Sequence, residues 1–409
     1  MNAITESPIE ARDREERLVA WVRDFVPQIR AARQEVVEHS RVPRHIADAF
    51  EKAGVYKMMI PREYGGLEAK VDTWRRVVTE IGKGDAGVAW SVSLNTMCSY
   101  VAAGFFPKKV VDEVFANPNV RMAGVFSPRG AQGRKVEGGI LIEKGIWFFC
   151  SGVPQADYVL LGVPTFDEAV NEASVDGQIR GMGVALVPLS DITVLNDWDA
   201  SGLRGSGSSN VSMENVFIPW ERIADLGACT LGTQERTFPE KNLYLTAFAP
   251  LSVAILSYPV LGAGMHYLEN FLAGLPRRDI KLTPYDKQGE APVTHIQLGV
   301  ATAKIDAANE IMIRAAREMD AWAERGEYMP LLDRARIIRD TSASNQLVWE
   351  AVDLLASASG GSFSRRDNAL NGIWQDIKVG TQHPFVTVTS NFESYGRLIC
   401  GVEPALMPI

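Results

Sequence analysis

Hydrophobic residues in the first third of the chain recur every three or four positions, which is the spacing of one face of an α-helix. The longest such series is Leu18, Val22, Phe25, Ile29, Ala32 and Val36. Further helices are predicted over residues 44–53, 72–81, 86–105 and 108–116. Residues 1–118 are therefore predicted to form a helical domain.

The period changes to two between residues 121 and 220, where short β-rich runs alternate with turn residues. Evenly spaced hydrophobic residues around 137–139 (EGG) predict a β-hairpin. Further strands are predicted over 158–163, 183–188, 192–195 and 211–218. So many short strands are typical of a small barrel or sandwich, and residues 119–225 are predicted to form a β-barrel domain.

Helical periodicity returns after Pro219 in longer pieces, over residues 243–275, 295–325, 331–359 and 371–394. Long amphipathic helices with short connections predict an up-and-down four-helix bundle over residues 226–409. The predicted fold class is therefore α+β and mostly α, with an N-terminal helical domain, a middle β-barrel domain and a C-terminal four-helix bundle.

Composition excludes several classes of protein. The 409 residues are 46% hydrophobic and 22% charged, which is unlike a disordered or collagen-like chain. The net charge of −8 and the lack of a basic run argue against a nucleic-acid partner. With neither a long apolar span nor an apolar leader in the sequence, no membrane association and a cytoplasmic location are expected. The scattered cysteines and histidines predict reduced thiols and no metal site.

Three segments carry candidate chemistry. Residues 202–209 (GLRGSGSS) indicate either a flexible β-turn or, with Arg204, a phosphate-binding loop. Residues 147–152 (WFFCSG) indicate either a core strand meeting a turn or a surface that stacks a planar ring. His383, in a predicted helix just before a proline, is either a core histidine or a base. Trp90 is predicted to be a core residue.

The order of these parts resembles the acyl-CoA dehydrogenase fold over nearly the whole chain. The supporting segments are 60–66 (IPREYGG), 124–128 (GVFSP), 202–219 (GLRGSGSSNVSMENVFIP), and 360–361 (GG) with 374–376 (WQD) before His383. Dehydrogenases of this family carry a catalytic glutamate near the flavin, whereas the corresponding segment 381–387 (TQHPFVT) has no carboxylate. Because removal of an α-hydrogen from a thioester needs a positioned base, this departure argues against dehydrogenation.

A histidine at that place, together with residues 123–162, resembles the flavin-dependent monooxygenases of this fold, the oxygenase components of two-component systems. The resemblance implies that reduced flavin (FMN or FAD) comes from a separate reductase and reacts with O₂ to give a C4a-hydroperoxyflavin. This species would oxygenate a small-molecule substrate that is aromatic or contains a reactive heteroatom. The resemblance also implies a homotetramer.

The same resemblance assigns the flavin site. The predicted flavin-binding residues are Phe148, Cys150, Ser151, Arg204, Ser206, Ser208 and Ser127. Ser151, with Cys150 beside it, would lie near flavin N5, and Phe148 would flank the isoalloxazine ring. Ser206 and Ser208 would hold the flavin phosphate.

The predicted catalytic residues are Ser151, which would bind flavin N5, and His383, which would act as a base or position the hydroperoxide. The predicted substrate-binding residues are Asn95, in place of a histidine of several relatives, and Met97, Tyr100 and Phe385. Two alternatives stay open. One is an acyl-CoA dehydrogenase-type flavoenzyme in which Glu393 supplies the base, and the other is a non-catalytic scaffold protein of the same fold.

Overall fold

The computed structural model describes residues 8–128, 130–164 and 182–403. The N-terminal region is helical, as predicted. Its helices are α1 (Pro8–Ala31), α2 (Arg33–His39), α3 (Arg44–Ala53), α4 (Val71–Gly84), α5 (Ala86–Gly104) and α6 (Lys108–Val114). The predicted hydrophobic series on α1 and α2 is buried, apart from Phe25, which is partly buried against the same core.

α5 is a central helix made almost entirely of small and apolar residues, and every residue in it except Leu94 is buried. The carboxylate of Asp85 caps its N-terminus by accepting a hydrogen bond from the Val88 N–H at 2.9 Å. Gly87 allows a neighbouring segment to approach, since a Cβ there would lie 2.6 Å from the backbone nitrogen of Gly205. The N-terminal end of α5 is therefore held tightly against the middle region.

The described part of the middle region contains eight strands. These are β1 (Met122–Val125), β2 (Ala131–Val136), β3 (Gly139–Trp147), β4 (Tyr158–Pro164), β5 (Met182–Pro188), β6 (Thr193–Val194), β7 (Val211–Pro219) and β8 (Ile223–Asp225). The predicted hairpin is present, because β2 and β3 pair antiparallel around a turn in which Gly138 has a φ of +80°. A positive φ favours glycine at that position.

The α+β class is confirmed, but the predicted barrel is not. The strands form two four-stranded sheets, ordered β1-β4-β5-β8 and β2-β3-β7-β6, with β1 and β4 parallel. Both sheets contribute to one buried cluster, which includes Val159 and Ala185 from the first and Ile142 and Met213 from the second. Among the described residues, no strand pairing joins the two sheets, so they pack as layers.

The C-terminal region is helical but more divided than predicted. Its helices are α7 (Leu226–Leu231), α8 (Phe248–Ala254), α9 (Ser257–Gly274), α10 (Pro292–Glu324), α11 (Leu331–Ser357), α12 (Ala369–Gly380) and α13 (Val388–Ile399). The prediction of one helix over 371–394 is wrong. α12 ends at Gly380, and a short turn containing Pro384 separates it from α13 because proline cannot donate the helical hydrogen bond. His383 therefore lies in a link between two helices.

One described segment, Phe248–Arg277, is long and apolar enough to cross a membrane by length and composition, with a mean hydropathy of 1.5. Such a segment was not expected from the sequence. Since 94% of its apolar window is buried inside the protein, it behaves as a core helix.

A charged cluster (Arg33, Asp85 and Asp376), in which the two carboxylates are buried and Arg33 is partly buried, joins the three regions. Arg33 of α2 forms ion pairs with Asp85 and, at 2.8 Å, with Asp376 of α12. Asp376 also accepts a hydrogen bond from the Leu203 N–H at 2.7 Å. Burial raises the pKa of Asp376 to about 6. The cluster fixes the glycine-rich segment after β6 against both helical regions.

Candidate active site

The end of β3 exposes two aromatic rings. Trp147 is buried, and its indole N–H donates to the Gly162 carbonyl at 2.8 Å. The next two residues point outwards, with Phe148 52% and Phe149 67% exposed. Phe149 has a φ of +65°, and its N–H donates to the Asn210 side chain at 3.0 Å. A non-glycine residue in this conformation is unusual and is held here by its neighbours.

Ser151 follows these two residues closely in the chain, but it is only 6% exposed. The Trp90 indole N–H donates to its Oγ at 3.2 Å, and the Oγ of Ser208 lies 2.8 Å away. Ser208 Oγ in turn lies 2.6 Å from Ser206 Oγ. We call Ser151, Ser208 and Ser206 the hydroxyl cluster. Backbone hydrogen bonds from Cys150 and Gly152 to residues 209 and 206 fix its two segments side by side.

The glycine-rich segment is a packing element. A Cβ at Gly205 would lie 2.9 Å from the Val88 nitrogen, and one at Gly202 would lie 2.3 Å from the Gln375 carbonyl oxygen. Ser206 and Ser208 are buried with their hydroxyls directed at each other. Their predicted contact with a flavin phosphate is untested, but the structure shows them as the inner support of Ser151.

Arg204 has its guanidinium bound within the chain. It pairs with Asp199 at 2.8 Å and donates to the Val37 carbonyl at 2.7 Å. Its predicted role towards a phosphate is therefore not supported by its contacts. Ser127 is exposed just after β1. Cys150 is fully buried, and burial raises the pKa of its thiol well above the ordinary value, so it is unreactive.

Trp90 connects the serine to the histidine. Its ring lies 5.8 Å from the His383 ring, centroid to centroid, while its N–H binds Ser151. The prediction that Trp90 is a core residue is confirmed by its burial. The sequence did not show that Trp90 contacts both Ser151 and His383. No local signal distinguishes it, since its two partners come from distant parts of the chain.

His383 is held in one protonation state. Its Nδ1 accepts a hydrogen bond from the Phe385 N–H at 3.2 Å, and its ring lies 5.2 Å from the Phe385 ring. Burial lowers the pKa of His383 to about 4, so the imidazole is neutral at pH 7. Because Nδ1 accepts, the single ring proton is on Nε2, and His383 presents an N–H donor.

Asn95 lies on the inner side of the Ser151–Gly152 turn. It is buried, its amide N–H₂ donates to the Met122 carbonyl at 2.5 Å, and its oxygen accepts from Gln155 at 3.2 Å. A Cβ at Gly152 would lie 2.4 Å from the Asn95 amide nitrogen. Its polar atoms are thus used in supporting the turn, and a direct substrate contact stays a prediction.

Met97 and Tyr100 are buried in the C-terminal half of α5. The Tyr100 ring lies 5.3 Å from Tyr244, and its hydroxyl donates to the Thr246 carbonyl at 3.2 Å. Ten residues of helix separate Tyr100 from Trp90, a distance of about 15 Å. Tyr100 therefore belongs to an aromatic core, and Leu94, one turn from Trp90 and only half-buried, is the better candidate to face a ligand.

Glu393, the base required by the dehydrogenase-type alternative, has an exposed side chain. Its side chain is 52% exposed on α13, and its nearest charged partner is Arg397 at 3.8 Å. Within residues 8–128, 130–164 and 182–403, no three His, Cys, Asp or Glu side chains come together as a metal site.

The residues at the site fit a flavin. A flavin combines a planar apolar ring system with an edge of hydrogen-bonding atoms. The exposed rings of Phe148 and Phe149 supply apolar surface that the protein itself leaves uncovered. The hydroxyl of Ser151 supplies a polar group beside it, fixed by Trp90 and Ser208.

Two family models match the chain. The acyl-CoA dehydrogenase N-terminal domain matches residues 12–105, and the acyl-CoA dehydrogenase C-terminal domain matches residues 254–388. Together they cover more than half of the sequence.

Several characterised proteins are similar over most of their length. The oxygenase subunit HsaA of a flavin-dependent monooxygenase from Rhodococcus jostii is 24% identical, covering 88% of this chain and 92% of that protein. The oxygenase component of p-hydroxyphenylacetate 3-hydroxylase from Acinetobacter baumannii is 24% identical, covering 94% and 89%. The structure of XiaF from Streptomyces sp. in complex with FADH2 and glycerol superimposes with a TM-score of 0.86 at 26% identity, covering 97% and 98%.

Proposed function

The chain belongs to the acyl-CoA dehydrogenase family, and we propose that it is the oxygenase component of a two-component flavin-dependent monooxygenase. The two matching family models confirm the family that the sequence predicted. The observation that carries the proposal is the site itself, where a hydroxyl and a neutral imidazole are joined through Trp90. Glu393, the carboxylate that the dehydrogenase-type alternative needs as a base, is half exposed on α13.

Phe148, Phe149 and Ser151 would hold the flavin. When bound and reduced, the flavin supplies the electrons that activate O₂ and allow one oxygen atom to reach the substrate. The similar proteins named as oxygenase components support delivery of reduced flavin by a separate reductase.

His383 acts as a hydrogen-bond donor. Its Nδ1 is occupied by the Phe385 N–H, so the Nε2–H is the group available to a ligand oxygen. Of the two roles predicted from the sequence, positioning an oxygen atom fits this arrangement better than removing a proton. A donor fixed before the reaction stabilises developing negative charge without reorganising.

Trp90, Leu94 and Phe385 keep the site apolar. Trp90 and Phe385 both pack on His383, and Leu94 lies one turn along α5 from Trp90. Exclusion of water by such side chains prevents unproductive loss of activated oxygen. An aromatic small-molecule substrate fits this lining and is supported by the name of the p-hydroxyphenylacetate-hydroxylating relative.

The homotetramer also stays a proposal. Val293, Ile296 and Val300 form an exposed apolar row at helical spacing on α10, which supports contact with a further copy of the chain. Sedimentation of the purified protein would give the number of subunits.

The function is tested by mixing the protein with anaerobically reduced FMN or FAD, admitting O₂, and measuring hydroxylated product from a panel of small phenols and indoles. Product formation that depends on reduced flavin supports the proposal. Reduction of a dye by an acyl-CoA, or failure to bind either flavin, would contradict it.

Two variants separate the possible roles of His383. His383→Ala is expected to lower oxygenation about 10²-fold, the usual effect of removing one fixed donor, while flavin binding persists. His383→Gln keeps an N–H donor but cannot accept a proton, so it should retain clearly more oxygenation than His383→Ala. Equal loss in both variants would favour a base, and unchanged turnover in His383→Ala would remove the residue from the mechanism.

A further inference from the structure

A buried amide near the start of α13 holds the link that carries His383. Asn391 is 4% exposed, and its side-chain N–H₂ group has two partners. One is the Phe385 carbonyl at 2.8 Å, and the other is the Ser342 hydroxyl at 2.6 Å. An amide N–H₂ group has two protons to donate, so both are used. Asn391 therefore ties the link between α12 and α13 to α11.

The hydrogen-bonding capacity of the partners fixes the direction of these contacts. Ser342 is fully buried on α11, and its hydroxyl donates to the Ile338 carbonyl one turn earlier, at 3.2 Å. Its single proton is thus used, and its oxygen accepts from Asn391. The Phe385 carbonyl can only accept. The amide oxygen of Asn391 could not take the place of its nitrogen, because it cannot donate to a carbonyl.

Phe385 connects this amide to the imidazole. Its carbonyl accepts from Asn391, while its N–H donates to Nδ1 of His383 at 3.2 Å. The two groups flank the same Cα atom, so a donor that fixes the carbonyl also restricts the direction of the N–H. Pro384, which lies between the two residues, has no N–H with which to strengthen the link. The orientation of the imidazole therefore depends on the contact with Asn391.

Asparagine is an unfavourable residue at this position unless it has such a role. It has a lower helix propensity than alanine or leucine, and burial of an amide costs free energy unless its hydrogen bonds are made. Residue 391 lies on the buried side of α13. An apolar residue there would avoid both costs, but it would leave the Phe385 carbonyl without this donor.

We propose that Asn391 is a positioning residue that fixes Phe385, so that its N–H covers Nδ1 of His383 and leaves the Nε2–H for a ligand. This inference rests on the proposed function, in which His383 places an oxygen atom through that N–H. Both N–H groups of Asn391 are used within the protein, so it acts through Phe385 and not on a ligand. Without it, the imidazole rotates away or carries its proton on the other nitrogen.

The first measurement examines the imidazole in the full chain without flavin. Diethyl pyrocarbonate acylates an unprotonated imidazole nitrogen, and in His383 that nitrogen is Nδ1, which the Phe385 N–H covers. In Asn391→Ala, we expect His383 to be modified about three- to tenfold faster than in the wild type, the value of one hydrogen bond. Peptide mass spectrometry gives the rate for each histidine, and His266 should react at its wild-type rate.

Two serines on α11 provide a second variant and a matched control. Ser342→Ala removes the acceptor of one Asn391 N–H and keeps the contact with Phe385, so modification of the imidazole should accelerate only about two- to threefold. This variant decides the question if Asn391→Ala fails to fold. Ser344→Ala removes an equally buried hydroxyl that donates to a carbonyl of α10, so the imidazole should react as in the wild type.

The second measurement is the oxygenated product formed per O₂ consumed, with reduced FMN or FAD and the panel of phenols and indoles. Asn391→Ala should lower this ratio about three- to tenfold. In a chain that already carries His383→Ala, the further change Asn391→Ala should lower it less than twofold, because no imidazole is left to position. A merely structural role would give the same loss in both backgrounds.

The outcomes are distinguishable. If His383 is modified at the wild-type rate in both Asn391→Ala and Ser342→Ala, the inference is wrong while the proposed function stands. Equal acceleration in Ser344→Ala, or an equal loss of product with and without the imidazole, would also overturn it. If the wild-type protein forms no product with either reduced flavin, the proposed function fails, and the modification rates still decide whether Asn391 holds the histidine.

Discussion

The charged cluster and the hydroxyl cluster lie at the two ends of one short segment, residues 203–208. They differ in whether any hydrogen-bonding group is left without a partner. At residue 203 the segment is bound by Asp376, whose charge is matched by Arg33. At residues 206 and 208 it carries neutral hydroxyls that lead to Ser151. The charged cluster is held by ion pairs within the protein. The hydroxyl cluster has three protons to donate but only two contacts between its hydroxyls, so one proton has no partner among the described residues.

The difference separates stabilisation from function. A buried ion pair is sensitive to the loss of one member, because the other is left as an uncompensated charge. A chain of hydroxyls contributes little net free energy, but it can present one group to a ligand. A hydrogen-bonding group that has no partner within the protein is therefore a better indicator of the ligand site than a high number of polar residues.

The largest expected effect on stability is in the charged cluster. Asp376→Ala should lower the free energy of unfolding by about 3 kcal/mol, because Arg33 keeps only one buried partner and the Leu203 N–H loses its acceptor. Urea unfolding followed by circular dichroism measures the change.

Asp367→Ala is the control for this prediction. Asp367 also pairs with an arginine, Arg365 at 2.7 Å, but both side chains are exposed. Such surface pairs are worth about 0–1 kcal/mol, so the variant should unfold nearly as the wild type does. If both variants lost the same free energy of unfolding, Asp376 would not have the stabilising role that its buried contacts predict.

The second prediction concerns Ser151. Ser151→Ala should lower the free energy of unfolding by only about 1–2 kcal/mol, since the Trp90 N–H and the Ser208 hydroxyl lose a partner. Its affinity for reduced flavin should fall about three- to tenfold in anaerobic fluorescence titrations, as expected for one hydrogen bond. A variant with intact flavin affinity would show that Ser151 is structural, like the charged cluster.

The third prediction uses pH. The pKa of His383 is lowered to about 4 by burial, whereas an unfolded histidine titrates near 6.5. Between these values the unfolded chain binds a proton that the folded chain does not, so stability should decrease as the pH falls from 6.5 to 4. His383→Gln should weaken this decrease, which urea titrations at pH 7 and pH 5 would reveal. Identical pH dependence in both proteins would contradict a half-buried neutral imidazole at residue 383.

His266 provides the reference for that experiment. The pKa of His266 is also lowered to about 4, chiefly by burial. It should therefore keep its share of the pH dependence in His383→Gln, and only the double variant should lose both. Oxygenation in His266→Gln would be measured alongside to separate stability from function.

The smallest effect is expected at Glu393. Glu393→Gln should change oxygenation and the free energy of unfolding very little, because the side chain is exposed and its ion pair with Arg397 is long. Product assays with the same phenol panel measure it. A large loss of activity would revive the dehydrogenase-type alternative.

Much of the fold followed from local patterns. Helical periodicity located α1, α3 and α10, and the alternation around Gly138 located the β2–β3 hairpin. The pattern did not show that α12 ends before His383, because hydrophobic spacing continues across the link at Pro384. Nor could it distinguish a barrel from two layers, since strand alternation is the same in both.

The candidate site was predicted in part. Ser151 and His383 were singled out from the sequence, and the structure brings both to Trp90, which was not assigned to the site. Tyr100 was assigned to the substrate and lies in an aromatic core farther along the same helix. Burial alone does not tell a ligand-facing aromatic residue from a packed one, so helical spacing could not separate Trp90 from Tyr100.

The sequence by itself determined the types of element, their order and the absence of a glutamate in the segment that contains His383. These depend on residues close together in the chain, whose spacing sets periodicity and turns. Only the tertiary structure decided which hydroxyl of the 150s faces which hydroxyl of the glycine-rich segment, and which carboxylate binds that segment. The contacts of Ser151 with Ser208 and of Leu203 with Asp376 join residues 57 and 173 positions apart. A hydrogen bond is satisfied by whatever folding brings within about 3 Å, and spacing along the chain carries no record of that.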